Sequence, residues 1–374
     1  MTYNIAIIGA TGAVGHKLLA TILDRKFPTK KIYLEAFKMT YNIAIIGATG
    51  AVGHKLLSTI LDRKFPTNEI YLLASKKSAG KKITHNNKEF MVEDLDSFNF
   101  SKVDIAFFSA GASVSSKYAL LAEESNCYVI DNTSFFRMHE DIPLVVPEVN
   151  EEDIDTSNRK IIANPNCSTI QMLVALFPIH KINKIRKIIV STYQSVSGAG
   201  QQAMNELTEQ SKSYFSKDQI VCKSFPKQIA YNVIPQIDIF TDNKFTKEEM
   251  KMVNETNKIL DKNININATC VRVPSYMGHA ESIYIELEKD MSIEDLERAL
   301  QNAEGIKYSN SDYHTPIDSE GEDWVYVSRL RKDIYKNNIF NLWVVADNLL
   351  KGAALNSVQI GESLIKKKIV SINE

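Results

Sequence analysis

Tyr41-Asn42-Ile43-Ala44-Ile45-Ile46-Gly47-Ala48-Thr49-Gly50-Ala51-Val52-Gly53 is the stretch that decides the fold. Its first six residues are mostly apolar and rich in isoleucine, as in a strand buried on both faces of a parallel sheet. A glycine turn follows, His54 to Arg63 continues as a helix, and Ile70-Tyr71-Leu72-Leu73-Ala74 reads as the next strand. Strand, glycine turn, helix and strand make a βαβ unit, so the fold class is α/β. Glycine in such a turn lets the backbone approach a pyrophosphate, which the helix N-terminus then stabilises. Gly47, Thr49, Gly50, Ala51, Val52 and Gly53 are therefore candidate cofactor-binding residues. Their spacing is G-x-x-G-x-x-G, not the commoner G-x-G-x-x-G, and a tight turn that binds nothing would use the same glycines.

Working outward, the end of the second strand refines the cofactor. An NAD site would place an acidic residue here for the ribose hydroxyls. The sequence instead reads Ala74-Ser75-Lys76-Lys77-Ser78-Ala79-Gly80-Lys81. The hydroxyl and ammonium groups of Ser75, Lys77 and Ser78 suit a 2′-phosphate, which favours NADP. Val103 to Phe108 is a further buried strand ending in the small residues Ser109, Ala110 and Gly111, where cofactors lie in an open sheet. Cys127 to Ile130 is another, and Arg137 follows it closely enough to hold a phosphate or carboxylate at the same sheet edge.

Asn164-Pro165-Asn166-Cys167-Ser168-Thr169 lies between the apolar run Lys160 to Ala163 and the helical run Ile170 to Phe177. Cys167 thus sits at a helix N-terminus, where unpaired N–H groups and the helix dipole are expected to lower its pKa and favour the nucleophilic thiolate. Ile188 to Gln194 opens a second sheet, expected to be antiparallel. The glycines of Ser195-Val196-Ser197-Gly198-Ala199-Gly200 would let a nicotinamide or substrate come close. Residues 201–245 read as a helix and long connections. Glu248 and Lys251 share one face of the next helix. Ala268 to Pro274 reads as a strand with Arg272 expected on the face opposite Cys270, and His279 after Gly278, at the start of the next strand, is placed for proton transfer. Leu342 to Asn348 reads as a strand, and Leu349 to Lys366 as a long amphipathic helix.

The chain has 374 residues, enough for two domains, with 44 basic and 45 acidic side chains. That balance gives no basic stripe for nucleic acid. No apolar run approaches the roughly 20 residues that span a bilayer. Met1 to Ile5 lacks a basic leader segment, and the four cysteines at 127, 167, 222 and 270 have neither metal-ligand nor disulfide spacing. A reducing cytoplasm, no metal, no membrane and no nucleic acid are the expectations. Residues 1–38 and 39–76 are near copies, identical at 33 of 38 positions and differing at Ala20/Ser58, Lys30/Asn68, Lys31/Glu69, Glu35/Leu73 and Phe37/Ser75. Glu35 would put a carboxylate into a buried parallel strand. Copy 2, from Met39, is therefore expected to be the working copy and copy 1 an appendage, with exchange of copy 1 for copy 2 as the alternative.

Taken together these motifs resemble aspartate-β-semialdehyde dehydrogenase of the bacterial type. The matching stretches are Gly47–Gly53, Ser75–Lys81, Phe108–Ser113, Asp131–Met138, Asn164–Thr169, Gln194–Gly200, Glu248–Lys251, Arg272–Ser282 and Asp347–Ala354, in the family's order across 39–374. The resemblance implies a Rossmann-type NADP-binding domain, 39–166 completed by 347–374, and an α+β catalytic and dimerisation domain, 167–346, with a mixed or antiparallel sheet. It implies NADPH-dependent conversion of L-4-aspartyl phosphate to L-aspartate 4-semialdehyde and phosphate, feeding lysine (diaminopimelate), methionine, threonine and isoleucine synthesis, and a homodimer. Cys167 matches the nucleophile, His279 the acid/base at the thiol and the thiohemiacetal, and Gln194 the residue orienting the acyl group. Arg272 matches the holder of the substrate α-carboxylate, Glu248 that of its amino group, and Arg137, Asn166 and Lys251 the phosphate contacts. Ser75, Lys77, Ser78, Ser109, Ala110, Gly111, Ser197, Gly198 and Asn348 fall on the cofactor side. An Arg is common where Lys77 stands, so the grip on the 2′-phosphate is expected to be looser. The rival readings are N-acetyl-γ-glutamyl-phosphate reductase and an inactive NADP-binding protein.

Overall fold

The computed structural model describes residues 2–8, 13–35 and 40–370. The glycine turn of copy 1 at 9–12, Phe37, Met39 and the last residues 371–374 lie outside them, as does the side chain of Glu35. Copy 1 forms β1 (Tyr3–Ile8), α1 (Ala13–Asp24) and β2 (Thr29–Glu35), and copy 2 forms β3 (Tyr41–Ile46), α2 (Ala51–Asp62) and β4 (Thr67–Ala74). β1 and β2 pair with each other in a small parallel sheet, whereas β3 lies between β4 and a later strand of a large sheet. Near-identical helices therefore meet different surroundings. Leu18 of α1 is 48% exposed, and its counterpart Leu56 in α2 is fully buried. Burying one leucine is worth about 1.5–3 kcal/mol.

From copy 2 the chain runs through β5 (Lys82–His85), β6 (Lys88–Asp94), β7 (Ile105–Phe108), α3 (Ala112–Glu124), β8 (Tyr128–Asp131), α4 (Pro147–Asn150) and β9 (Ile161–Ala163). The sheet order is β5-β6-β4-β3-β7-β8-β9, with only β5–β6 antiparallel. Ile43, Ile45, Ile105, Phe107 and Ile130 fill the core on one face with α2. The loops after β3, β4, β7, β8 and β9 all emerge at the strands' carboxyl ends, the edge where ligands bind in open α/β sheets.

The second half begins with α5 (Cys167–Ile182) and β10 (Ile185–Gln194). It continues through α6 (Gln201–Ser216), α7 (Lys247–Ile259), β11 (Asn265–Arg272), β12 (His279–Leu287), α8 (Ile293–Gln301), β13 (Ile306–Ser309), β14 (Val325–Lys332) and β15 (Ile339–Ala346). The sheet order is β11-β10-β12-β15-β14-β13. Of the mixed or antiparallel sheet expected, the mixed form is found, because β10–β11 and β13–β14 are parallel and the other pairs antiparallel. Buried α5 side chains from Ile170 to Ile179 pack in one core with Ile188, Val190 and Ile283 of this sheet and Phe108 and Val129 of the first. The C-terminal segment is not a uniform α-helix. It starts as a π-helical turn, Leu350–Ala354, before α9 (Leu355–Lys366), which packs on the first sheet.

The glycine turn is sterically fixed. A Cβ on Gly47, at φ +86°, would lie 2.9 Å from the Ala110 nitrogen, and one on Gly53 would lie 2.3 Å from the Gly47 carbonyl oxygen. Gly53→Ala is expected to cost about 1–3 kcal/mol and to weaken cofactor binding, read by thermal melting with and without NADP. An unchanged melt with normal cofactor stabilisation would show that the turn can open to admit a methyl group.

Candidate active site

The thiol of Cys167 faces a cleft of about 400 Å³ lined by Val52, Asn132, Ser134, Arg137, Asn164, Asn166, Gln194, Gly198, Asp238, Glu248, Lys251, Arg272, Asn348 and Gly352, among others. They come from strand ends, helix starts and the loops that join them, Asp238 from the long connection between α6 and α7. Cys167 opens α5, and the Asn166 side chain caps that helix by accepting from Ser168 N (3.1 Å) and Thr169 N (3.3 Å). Losing such a cap costs about 1 kcal/mol. The other end of the Asn166 amide donates to Glu248 Oε1 at 2.8 Å. Its side chain is thus committed to the protein at both ends, a constraint on the phosphate contact expected of it. The other wall of the thiol is the π-helical turn, where a Cβ on Gly352 would lie 2.7 Å from the Cys167 Cβ.

Glu248 is the centre of the polar cluster. It accepts from Asn166, from Gln194 Nε2 (3.3 Å) and from Lys251 Nζ (3.0 Å). Burial opposes its ionisation, yet Lys251, Asn166 and Arg272 together hold it down at about 2. Lys251 also pairs with Asp238 at 3.2 Å, so it faces two carboxylates. Arg137 donates Nη1 to Glu255 Oε1 (2.9 Å) and Nη2 to the Asn132 carbonyl (2.9 Å). Its Nε is buried with no hydrogen-bond partner among the described residues, an exception among buried donors. Arg272 donates Nη1 to the Ser195 carbonyl at 2.7 Å. The expectation that Arg272 and Cys270 face opposite ways is wrong. Residues two apart share a strand face, and both are buried on the inner one.

His279 opens β12 beside the end of β10. Its Nδ1 accepts from the backbone N–H of Ser195 at 3.1 Å. Ser195 Oγ lies 3.2 Å from the same nitrogen and donates to Asn348 Oδ1 at 3.1 Å, which also accepts from Gly278 N at 3.0 Å. Asn348 thus serves the histidine shelf as well as the cleft wall. Burial, then Arg272, push His279 down to about 3, so the ring is neutral.

The expected low pKa at Cys167 is also corrected. Burial, with Glu248 adding to it, pushes the thiol up to about 12 against the pull of Arg272 and Arg137. The helix N-terminus is real, but it acts here on a desolvated sulfur.

The residues expected to hold the cofactor lie in the loops after β3, β4, β7, β10 and β15 and in the first turn of α2. α2 and α3 begin at Gly50 and Gly111 with no side chain capping either N-terminus, so their first N–H groups are free to meet a pyrophosphate. Ser109 donates its hydroxyl to the Ile46 carbonyl, bringing its loop against the glycine turn. Ser75 and Lys77 are exposed beyond β4, with Ser78 half-buried and turning back on the Ser75 carbonyl. Ser197 and Gly198 lie in the turn Val196–Ala199, above Arg272 and His279.

The semialdehyde dehydrogenase NAD binding domain matches residues 42–157, and the semialdehyde dehydrogenase dimerisation domain matches residues 176–351. An aspartate-semialdehyde dehydrogenase of Shewanella sp. (strain DB6705) is 52% identical over 97% of this chain and 98% of its own length. That of Bacillus subtilis is 50% identical over 98% of this chain and 99% of its own. The chain belongs to the aspartate-semialdehyde dehydrogenase family. The crystal structure of enzyme II from Vibrio cholerae complexed with ASA is 50% identical, with a TM-score of 0.86 over 88% of this chain and 99% of that one. The protein is thus an enzyme that converts L-4-aspartyl phosphate to L-aspartate 4-semialdehyde with a nicotinamide cofactor. These relatives do not favour the N-acetyl-γ-glutamyl-phosphate reductase or inactive-protein readings. Among the described residues no helix is long and apolar enough to cross a membrane, and no cluster of metal-ligating side chains occurs.

Sequence reasoning missed Glu255. It takes Arg137 on one oxygen and the backbone N–H of Asn166 on the other, at 2.6 Å. It lies seven residues after Glu248, hence on the same face of α7, and that spacing was the available signal. The ion pair between the fully buried Lys351 and the partly buried Glu148, at 2.7 Å, was missed as well. Because the Gly352 approach sets where the sulfur sits, Gly352→Ala is expected to fold yet lose more than tenfold in kcat. A misplacement of about 1 Å costs about 10²-fold. Wild-type kcat in this variant would show that the turn does not position Cys167.

Proposed function

We propose that Cys167 is the nucleophile, with NADPH as reductant, and that the observation carrying this is the thiol on the wall of a cleft holding the unpartnered Arg137 Nε. The sulfur attacks the acyl phosphate, phosphate leaves, and the acyl group remains as a thioester. NADPH, when bound in the Gly47–Gly53 and Ser109–Gly111 cradle, supplies hydride. Gln194 orients the acyl group, Arg272 holds the α-carboxylate through its fork, and Glu248 receives the substrate amino group. Arg137 and Lys251 take the phosphoryl group with Asn166 beside them, and His279 handles protons at the acyl oxygen.

The lack of an acid at the end of β4, with Ser75, Lys77 and Ser78 in its place, supports NADP over NAD. Residues 39–166 with 347–374 act as the NADP-binding domain and 167–346 as the catalytic and dimerisation domain, with 1–38 an appendage. Exposed Ile189 and Tyr193, with Trp343 packed beside Tyr193, support a homodimer formed on the outer face of the second sheet. The free thiols at 127, 167, 222 and 270 suit a cytoplasmic enzyme of lysine, diaminopimelate, methionine, threonine and isoleucine synthesis.

The deciding experiment is phosphate-dependent NADP reduction with L-aspartate semialdehyde, run on the full chain and on a chain starting at Met39. Equal activity is expected, and activity in neither would overturn the assignment. Cys167→Ala is expected to keep its fold and lose turnover, whereas near wild-type activity would remove the covalent step. Arg272→Lys is expected to lower kcat/KM by about tenfold or more, because lysine cannot make the planar fork. An unchanged value would take the carboxylate role from Arg272.

A further inference from the structure

Lys351 has no part in the reaction described above, yet it is fully buried, where a lysine is rarely found unless it is paired. It lies in the π-helical turn Leu350–Ala354, immediately before Gly352. Its Nζ donates to both oxygens of Glu148 (2.8 and 2.7 Å), to Gln359 Oε1 (2.7 Å) and to Asn356 Oδ1 (3.1 Å). These acceptors use all three of its hydrogens. Glu148, in α4, also accepts from Gln359 Nε2 at 2.9 Å. Its Oε1 lies 3.2 Å from where a Cβ on Gly305 would stand, at φ +74°, so the carboxylate occupies space that a glycine leaves open. A buried polar network whose every member is satisfied is rigid, and this one ties the π turn to α4 and α9 at a single point.

Two arms run from this ammonium group to Cys167. The first is the chain itself. The next residue, Gly352, closes on the cysteine, with its Cβ position 2.7 Å from the Cys167 Cβ, and its N–H reaches back five residues to the Asp347 carbonyl at 3.1 Å, the bond that makes the turn a π turn. The second arm passes through Asn356 of α9, whose Nδ2 donates to Asn164 Oδ1 at 2.7 Å and to the Val145 carbonyl at 3.0 Å. Asn164 opens the turn that ends in Cys167, and it lines the cleft. We propose that Lys351 is a positioning residue for the reaction: held by Glu148, it sets the wall at Gly352 and, through Asn356, the turn at Asn164, and so fixes where the Cys167 sulfur sits and how much water reaches it. This rests on reading Cys167 as the nucleophile.

The test uses the full chain. Lys351→Met alone leaves the Glu148 carboxylate without its cation and can fail to fold. The decisive variant therefore combines Lys351→Met with Glu148→Gln, which removes both charges and nearly keeps both volumes. A loosened wall admits water to a thiol that burial holds up at about 12. Iodoacetamide is then expected to alkylate Cys167 about tenfold faster or more at neutral pH, with the pH profile of alkylation moved down by about one unit. Cys127 and Cys270, buried in the two halves of the chain, are expected to stay as protected as in wild type. Semialdehyde turnover is expected to lose about tenfold or more in kcat with KM little changed. A wild-type alkylation profile at Cys167, or a wild-type kcat, would overturn the proposal. Faster alkylation of all three cysteines would overturn it as well, since it would mean a general loosening of the fold. Alkylation does not use the substrate, so absence of semialdehyde turnover in the wild-type chain would sink the assigned reaction and leave the placement of the thiol to be read on its own.

Discussion

The carboxylate of Glu255 is the contact on which the site depends. It is fully buried, and it answers two donors from the first half of the chain, the Arg137 guanidinium and the Asn166 N–H, from a helix of the second half. Removing one partner of such a pair leaves a buried charge alone, at a cost of about 3–5 kcal/mol. The turn bearing Cys167 is therefore pinned at the junction of the two domains. Glu248 and Glu148 repeat the device nearby, each satisfied by a lysine and by side-chain amides. In each case the protein holds a carboxylate largely out of water and ties groups from a distant part of the chain to it.

That arrangement explains a site rich in cations whose thiol is nevertheless held protonated. Arg137 and Lys251 are balanced by carboxylates of the protein, and the Arg272 guanidinium donates to the Ser195 carbonyl. Desolvation then decides the state of the sulfur and of the imidazole, and it favours the neutral form of each. A neutral thiol beside a neutral imidazole suits a reaction in which charge arrives with the substrate.

Much of this was legible in the sequence. The isoleucine-rich strand and its glycine turn gave the first sheet, and the Cys167 turn and Arg272–His279 segment gave the centre of the cleft. Local pattern failed where the answer lay in tertiary contact. The parallel pairings of β11 and β13 depend on connections that strand composition does not encode. The pKa of Cys167 follows from desolvation, which no motif reports. Glu255 was hidden because an acidic residue on a charged helix reads as solvated until Arg137 is found against it. The two copies make the same point, since Leu18 and Leu56 share their local sequence and differ in burial.

The placement of the last strand and helix bears on how the molecule is made. β15 lies inside the second sheet, between β12 and β14, and the turn at Gly352 closes on a cysteine almost two hundred positions upstream. Domains emerging from the ribosome tend to fold from the N-terminus as they appear. Here the nascent polypeptide can lay down the nucleotide-binding sheet early, but Cys167 acquires its final wall only after the segment through Gly352 has emerged. An incomplete translation product would carry the cysteine without the enclosure that controls it.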